Sequence, residues 1–332
     1  MKVDPKLILN SLMRAHRPAR VSRYAGVEAG NLDLYLSFLD RRRICDALNL
    51  TAKDIIGNKL FFPVAMGRWG HLVPENIFLL HRGRCLDPQD GYSAADPLDL
   101  MQRAGGRFVI KPVLGRRSRD VHFVSLVDGV PLIDGHAATR TDILSLGADG
   151  AGSICCRFIE QHPELAQIFP EAIITLRILT YFDEIAGKGR FLAGFARIGT
   201  KASAPFEATS KAGLQAELSL DQGVLSSALT FEGGAFWTRP RRINHAAHPE
   251  TGVRIEGVQI PHWHDIRATL QSMLDDLPFF EFIGWDIIVT PESFAILEAN
   301  VRPGTDTPQY FRPLLADEGF RDMLLRRGLI RR

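Results

Sequence analysis

The sequence predicts an α+β protein in which a helical N-terminal segment precedes two α+β subdomains. Apolar residues show helical spacing in roughly the first 55 residues, and short β-rich runs separated by Gly, Pro and Asp begin near Asn76. Its 332 residues favour more than one core, because domains contain about 150 residues. We place the segment and the two subdomains at 1–58, 59–155 and 156–332.

The N-terminal segment contains a stretch that fits two secondary structures. Leu32, Leu34, Leu36 and Phe38 alternate as in a strand, whereas Leu32, Leu36 and Leu39 have helical spacing. We predict a helix, because the apolar pattern continues past these residues without a turn signal.

Three consecutive arginines, Arg41, Arg42 and Arg43, interrupt this apolar pattern. They are basic enough to form an anion site. A solvated helix face or helix end is the simpler interpretation, and we favour it. The sequence alone leaves both interpretations open.

Composition and charge exclude several classes of protein. Hydrophobic residues make up 45% of the chain and charged residues 23%, which is the balance of a globular protein rather than a disordered or fibrous one. The net charge of +2 provides no strong field for nucleic acid, and no apolar run reaches the ~18 residues of a membrane span. The four cysteines contain no CxxC pair. We therefore expect a reduced, cytoplasmic protein.

The later part of the chain predicts one hairpin followed by a larger α/β unit. Residues 105–129 indicate a hairpin with a basic tip, and the runs 173–183 and 189–199 an antiparallel pair. Residues 264–277 have the spacing of an amphipathic helix. Residues 200–260 are rich in Gly and Ala without clear periodicity, so we predict long loops that cover a site.

The most informative segment, 284–304, has three oxygen-bearing side chains on two predicted strands. Asp286 lies within the first strand, and Glu298 and Asn300 lie two residues apart on the second, hence on one face. Two carboxylates and an amide oxygen suit Mg²⁺, and carboxylates within apolar strands are costly unless paired or bound to metal. We predict a Mg²⁺ site; the alternative is strand-end polar residues without a ligand.

Basic residues occupy positions from which they could bind an anion. Lys111 ends an apolar strand, and the loop after it contains Gly115, Arg116 and Ser118. Glycine permits close approach of the backbone to an anion, and the other two side chains supply donors. Arg177 lies within an apolar strand and therefore needs an anionic partner, either a phosphate or a structural carboxylate.

In chain order these pieces resemble the ATP-grasp superfamily. The chain is more narrowly similar to the sugar-transfer-associated ATP-grasp group, which is related to amino-acid ligases. Three segments carry this likeness, 158–182, 248–263 and 284–304. The likeness covers roughly residues 50 to 315, and the Glu-x-Asn-x-x-Pro-Gly run with its upstream Asp is its specific part.

The resemblance implies the ATP-grasp fold, in which two α+β subdomains hold ATP and Mg²⁺ between them. The implied nucleotide-binding residues are Lys59, Lys111, Gly115, Arg116, Ser118, Arg157, Phe158, Glu160 and Arg177. The implied catalytic side chains are Arg177, Lys111 and Arg302. The implied metal ligands are Asp286, Glu298 and Asn300.

Individual roles follow from the same resemblance. The backbone at 155–158 would bind the adenine edge, Glu160 the ribose hydroxyls, and Arg177 the γ-phosphate. The implied activity is that of an ATP-dependent carboxylate–amine ligase, which forms an amide through an acylphosphate in cell-surface glycan or sugar-conjugate biosynthesis. The substrates would be a small carboxylate, with a carboxylated sugar as one candidate, and an amine.

Two other functions stay open at the level of sequence. An ATP-grasp phosphotransferase would phosphorylate a hydroxyl, and a non-catalytic nucleotide-binding subunit of a glycan assembly system would not turn ATP over. We expect neither nucleic acid as a partner nor a membrane span, and a homodimer stays open.

Overall fold

A computed structural model of the chain shows helices and antiparallel sheets. The structure describes residues 3–14, 16–114, 120–148, 150–204, 213–234 and 238–331. Within these residues the α-helices are α1 (Pro5–Met13), α2 (Pro18–Val21), α3 (Phe38–Ala47), α4 (Lys53–Ile56), α5 (Phe62–Ala65), α6 (Pro97–Ala104), α7 (Arg140–Ser145), α8 (Pro163–Ala166), α9 (Trp263–Asp276), α10 (Asp306–Gln309) and α11 (Glu318–Arg326). Short 3₁₀ helices span Leu32–Leu34, Gly67–Leu72, Pro88–Asp90 and Leu314–Ala316.

Local sequence signals explain where several of these helices begin. Ser37 precedes α3 and forms a capping box with Asp40, and Thr139 does the same with Asp142 at α7. The helix predicted after Leu32 is confirmed in part, because a 3₁₀ turn and two extended residues come before α3. None of the helices in the described parts of the chain has both the length and the apolar character to cross a bilayer.

The chain divides into two compact units. Unit 1 comprises Met1–Lys53, Gln161–Phe294 and Ala299–Arg332, and unit 2 comprises Asp54–Glu160 with Ala295–Glu298. The prediction treated the N-terminal segment as separate, whereas the structure groups it with unit 1. Its apolar residues Leu36, Ile44 and Leu48 share one core with Leu179 and Phe282 of unit 1, which accounts for this grouping.

Unit 2 contains an eight-stranded antiparallel sheet. Its strands are β1 (Asn76–His81), β2 (Arg84–Asp87), β3 (Ser93–Ala94), β4 (Arg107–Pro112), β5 (His122–Val127), β6 (Val130–Ile133), β7 (His136–Ala137) and β8 (Ser153–Arg157). They lie in the order β3-β2-β1-β8-β4-β5-β6-β7. The predicted hairpin is confirmed by the pairing of β4 with β5. Phe78 and Phe108 lie in the core that this sheet forms with helices α6 and α7.

The remaining strands form a seven-stranded antiparallel sheet. Its members are β9 (Thr175–Asp183), β10 (Lys188–Ile198), β11 (Leu214–Leu218), β12 (Leu225–Glu232), β13 (Arg241–His245), β14 (Phe282–Val289) and β15 (Phe294–Asn300). They lie in the order β13-β12-β11-β10-β9-β14-β15. The predicted pair β9–β10 and the predicted strands β14 and β15 are confirmed.

The prediction of long loops over residues 200–260 is wrong in part. Strands β11, β12 and β13 occupy 18 of these 61 residues. They escaped prediction because their apolar alternation is short or interrupted. Leu214, Ala216 and Leu218 alternate over only the five residues of β11, two serines follow Leu225 in β12, and β13 is mostly polar.

Helix α9 packs closely on strand β10 at a glycine. A Cβ atom on Gly189 would lie 2.3 Å from the Cβ of Leu274. The side chain of Gln271 also donates to the Gly189 carbonyl at 2.9 Å. The close approach of this helix and strand therefore requires glycine here.

We expect Gly189→Ala to lower the free energy of unfolding by about 2 kcal/mol, because the added methyl group would overlap Leu274. Urea denaturation followed by circular dichroism measures this change. Gly30→Ala is the matched control, since an added Cβ there meets no atom within 4 Å. Equal stability of the two variants would contradict the packing argument.

Candidate functional site

Three charged side chains meet within the seven-stranded sheet. Asp286 on β14 lies directly opposite Arg177 on β9, and Arg197 on β10 lies opposite Thr175. The Arg177 guanidinium donates to both carboxylate oxygens of Asp286, from Nη2 at 2.7 Å and also from Nε. Arg197 Nη2 lies 2.9 Å from Asp286 Oδ1. The result is a two-arginine clamp on one carboxylate.

This cluster is largely shielded from solvent. The exposed fraction of the side chains is 5% for Asp286, 11% for Arg177 and 18% for Arg197. Burial of an ion costs several kcal/mol unless counter-ions and hydrogen bonds compensate. The bidentate pairing of Arg177 and the additional bond from Arg197 Nε to Thr175 Oγ1, at 3.0 Å, supply part of that compensation.

The other predicted metal ligands lie on β15. Asn300 Nδ2 lies 3.4 Å from the Gly284 carbonyl and 3.5 Å from Asp286 Oδ2, so Asn300 is adjacent to the cluster. Glu298 is two residues earlier on the same strand and groups with unit 2; its convergence with Asp286 stays a prediction. In the described part of the chain, no group of three or more His, Cys, Asp or Glu residues could hold a metal.

The donor set of this cluster fits a hard divalent cation. A carboxylate offers about four lone-pair positions, and the two arginines use three of those of Asp286. The Asn300 amide can turn over to present its oxygen, since its two ends have the same shape. Asp286 and Asn300 could therefore hold Mg²⁺ if an arginine gave way.

Two lysines predicted to bind the nucleotide, Lys59 and Lys111, lie near the end of strand β4 in unit 2. The Lys59 amide donates to the Val113 carbonyl at 3.1 Å, two residues after Lys111 at the end of β4. Lys111 itself is opposite Ile154 of β8. The predicted phosphate-loop residues are outside the described part of the chain; they are Gly115, Arg116 and Ser118.

The predicted adenine and ribose contacts already have partners in unit 2. The amides of Arg157 and Phe158 donate to the carbonyls of Glu75 and Arg107, each at 2.9 Å. The Arg157 guanidinium also pairs with the Glu75 carboxylate at 2.9 Å, and Glu160 pairs with Arg107. A nucleotide would have to replace these partners or use the backbone carbonyls.

The remaining predicted catalytic residue, Arg302, pairs with Asp46 of helix α3. Its Nη2 lies 2.8 Å from Asp46 Oδ1, and both side chains are about half exposed. Arg41 of the same helix donates to the Pro303 carbonyl at 2.9 Å. These contacts fasten the segment after β15 to α3, so the observed contact of Arg302 is structural. A catalytic role of Arg302 stays a prediction.

Two further results concern residues outside the predicted set. Arg197 was missed, although it lies within an apolar strand as Arg177 does, and this pattern could have identified it. Cys155 and Cys156 are buried, and burial raises the pKa of the Cys155 thiol well above its usual value. A neutral, buried thiol is a poor nucleophile, so a packing role is favoured for Cys155.

Comparison with known families now identifies the fold. The sequence model of the family described as sugar-transfer associated ATP-grasp matches residues 48–313. The chain belongs to this family. The predicted ATP-grasp fold is thereby confirmed, and the match encloses Arg177, Arg197 and Asp286. A search of curated proteins found no match.

Several solved structures are similar to this ATP-grasp chain at low identity. D-cycloserine synthetase is 13% identical with a TM-score of 0.38, over 82% of this chain and 71% of that one. D-alanine–D-alanine ligase from Bacillus anthracis is 13% identical with a TM-score of 0.41, over 82% and 69%. L-amino acid ligase from Bacillus licheniformis is 10% identical with a TM-score of 0.39, over 78% and 44%.

We expect Asp286→Asn to lower the free energy of unfolding by about 3 kcal/mol, because it leaves two buried guanidinium groups without their carboxylate. Thermal unfolding in the absence of nucleotide measures the loss. Asp221→Asn is the matched control, since Asp221 is 89% exposed and pairs with Arg267 at 3.3 Å; we expect it to melt as the parent does. An unchanged melting temperature in the Asp286 variant would show that the clamp contributes nothing to stability.

Proposed function

We propose that this ATP-grasp protein is an ATP-dependent carboxylate–amine ligase that forms an amide through an acylphosphate. The observation that carries the proposal is the buried cluster of Arg177, Arg197 and Asp286, inside the segment that matches the family. A site built from cations and carboxylates suits phosphoryl transfer, where the protein contributes positioning and charge stabilisation.

Arg177 is the residue that we assign to the transferring phosphoryl group. Its planar guanidinium already forms a two-point contact with a carboxylate, and the same fork matches two phosphate oxygens. Lys59 and Lys111 would bind other phosphate oxygens or the adenine ring from unit 2. Arg197 would keep Asp286 paired when Arg177 turns to the phosphate, so no buried carboxylate loses all its cations.

Asp286, Glu298 and Asn300 are the residues that would hold Mg²⁺. The bound ion would neutralise phosphate charge and orient the phosphoryl group for attack. The chain's part is to supply oxygen ligands on neighbouring strands whose spacing the sheet fixes. Asp286 is buried and held from two sides, so its position varies little before a ligand arrives.

The proposed reaction needs no nucleophile from the protein. An oxygen of the substrate carboxylate attacks the γ-phosphorus and displaces ADP, and the amine then attacks the acyl carbon and displaces phosphate. The cations stabilise charge in both steps. Burial raises the pKa of the Cys155 thiol, so the proposed mechanism does not use this thiol as a nucleophile.

The substrate class is the finer part of the proposal. The description of the family as sugar-transfer associated supports a carboxylated sugar or glycan precursor as the carboxylate, with an amino acid or amine as the second substrate. The reaction would take place in the cytoplasm, where ATP is available. A homodimer is compatible with this activity and is not required by it.

The decisive experiment measures phosphate release by the purified protein with ATP, Mg²⁺ and pools of carboxylates and amines. A ligase releases free phosphate only when both substrates are present, and the product is an amide by mass spectrometry. Phosphate found on the acceptor would instead identify a phosphotransferase. Glu298→Gln should fold normally and abolish the Mg²⁺-dependent rate.

A non-catalytic role would show a different pattern. The occupation of Asp286 by two arginines favours this alternative, because a metal has to compete for the carboxylate. Such a protein would bind ATP without amine-dependent phosphate release from any pool. Equal ATP affinity in the Glu298→Gln variant and the parent, with no turnover in either, would support it against the ligase.

We expect Arg177→Lys and Arg197→Lys to differ in effect. Loss of the planar fork at Arg177 should lower kcat about 100-fold with a smaller change in ATP affinity, since the lost contact matters most in the transition state. Arg197→Lys should lower the melting temperature with little change in kcat, because Arg197 pairs with Asp286 and is assigned no contact with the phosphoryl group. Rates per folded molecule, measured beside the melting temperature, separate the two roles. Equal rate losses would contradict the assignment.

A further inference from the structure

Helix α1 exposes apolar residues to solvent. Leu7 and Ile8 are buried in the core, whereas Leu9, Leu12 and Met13 are 57%, 53% and 73% exposed. The three exposed residues have the i, i+3, i+4 spacing that places them on one side of the helix. The helix also contains no acidic residue. Exposed apolar side chains that group on one side of a helix indicate an interaction surface, whereas single ones do not.

A second exposed apolar site lies at the start of helix α3. Phe38 and Leu39 are 38% and 40% exposed. The Arg17 guanidinium lies 4.0 Å from the centre of the Phe38 ring, and Arg17 follows Met13 by four residues. We call the exposed side chains of α1, of Arg17 and of the first two turns of α3 the N-terminal surface.

The N-terminal surface lies in a basic part of the chain. Residues 1–43 contain nine Lys and Arg against four Asp and Glu, a net charge of +5, whereas the whole chain has +2. Arg42 and Arg43 are 71% and 52% exposed, and their ion pairs with Asp46 and Asp40 are long, at 3.6 and 3.8 Å. Exposed pairs of this kind hold a side chain weakly, so both arginines can turn to an anion.

A recess beside α3 is lined by both basic and apolar side chains. A cavity of about 550 Å³ is lined by Leu39, Arg42, Arg43, Asp46 and Ala47 of α3 and by Gly328 and Leu329 beyond α11. The carboxylate of Asp46 pairs with Arg302 at 2.8 Å. The guanidinium groups of Arg42 and Arg43 can bind a phosphate, and the leucines can cover the carbons attached to it. This combination matches a phospholipid at a bilayer surface better than it matches a fully water-soluble anion.

We propose that the N-terminal surface docks on a membrane that contains anionic phospholipids. The apolar residues of α1 would enter the boundary between headgroups and acyl chains, and Arg14, Arg17, Arg42 and Arg43 would bind lipid phosphates. A few apolar side chains together with basic residues attach a protein to a membrane reversibly and in a salt-dependent way, without inserting it across the bilayer. The proposal is independent of the ligase activity.

Two other occupants fit the surface less well. A nucleic acid would use the arginines but would gain nothing from exposed Leu12 and Met13, because its backbone is charged throughout. A second copy of the chain would bring the same basic surface against itself in a two-fold dimer, and like charges in contact oppose association. An anionic surface with an apolar interior uses both features.

The test is co-sedimentation of the full chain with vesicles at 0.1 M salt. Vesicles of phosphatidylglycerol and phosphatidylcholine should bind the protein, and vesicles of phosphatidylcholine alone should bind it at least tenfold more weakly. Binding should fall steeply as the salt concentration rises, since the attraction is screened. Neither ATP nor Mg²⁺ is needed, so the outcome does not depend on catalytic activity.

Two pairs of variants separate the apolar and basic contributions. Leu12→Ser with Met13→Ser should weaken binding by at least tenfold, and Arg42→Ser with Arg43→Ser by about 25-fold, since each basic residue near the surface contributes about fivefold. The matched controls are Ile185→Ser, an apolar residue 75% exposed, and Arg241→Ser, a basic residue 78% exposed. Both controls should bind as the parent does.

Several results would overturn the proposal. They are the absence of binding to anionic vesicles, equal binding to neutral vesicles, or equal loss in the control variants. A parent dimer that the Leu12 and Met13 changes convert to a monomer, without vesicle binding, would assign the surface to a second copy. Unchanged melting temperatures of all variants ensure that a loss of binding reflects the surface.

Discussion

The pairing of buried Asp286 with Arg177 and Arg197 constrains the sheet around it. Asp286 and Arg177 are directly opposite in the register of β14 and β9. A slip by one residue would turn one of them to the other face and leave a buried charge unpaired, at a cost of several kcal/mol. The ion cluster and the strand register therefore specify each other. Arg197 extends the constraint to β10, so three consecutive strands are fixed by one carboxylate.

The same cluster links stability to the proposed chemistry. Arg177 and Asp286 were predicted for different partners, a phosphate and a metal ion, yet in the structure they neutralise each other. Under the proposed function the two roles are compatible because each residue exchanges one counter-ion for another. Arg177 would exchange a carboxylate for a phosphate, and Asp286 a guanidinium for a cation, while Arg197 stays in place. Because Arg177 and Asp286 pair with each other before ligands bind and would pair with the ligands afterwards, neither side chain is left as an unpaired buried ion.

The sequence predicted the fold well where strands are long, apolar and bounded by turns, as at β9, β10, β14 and β15. It failed at β11–β13, where apolar alternation covers only five residues in β11 and is interrupted or replaced by polar residues in β12 and β13. It identified Arg177 and Asp286 from the cost of burying charge. It could not identify them as partners, nor add Arg197, because strand register is a long-range property that residue types along one strand do not contain.

The arginine triplet shows why neighbours in sequence can differ in role. Successive residues of a helix point about 100° apart, so Arg41 turns inward to the carbonyls of Arg302 and Pro303, whereas Arg42 and Arg43 face solvent. Helix α3 thus holds the segment that follows Asn300 with one side and carries part of the N-terminal surface on another. Attachment of that surface to a bilayer would act on a helix already fastened to the end of β15. The proposed docking surface and the predicted metal ligand Asn300 are therefore connected through one helix of unit 1.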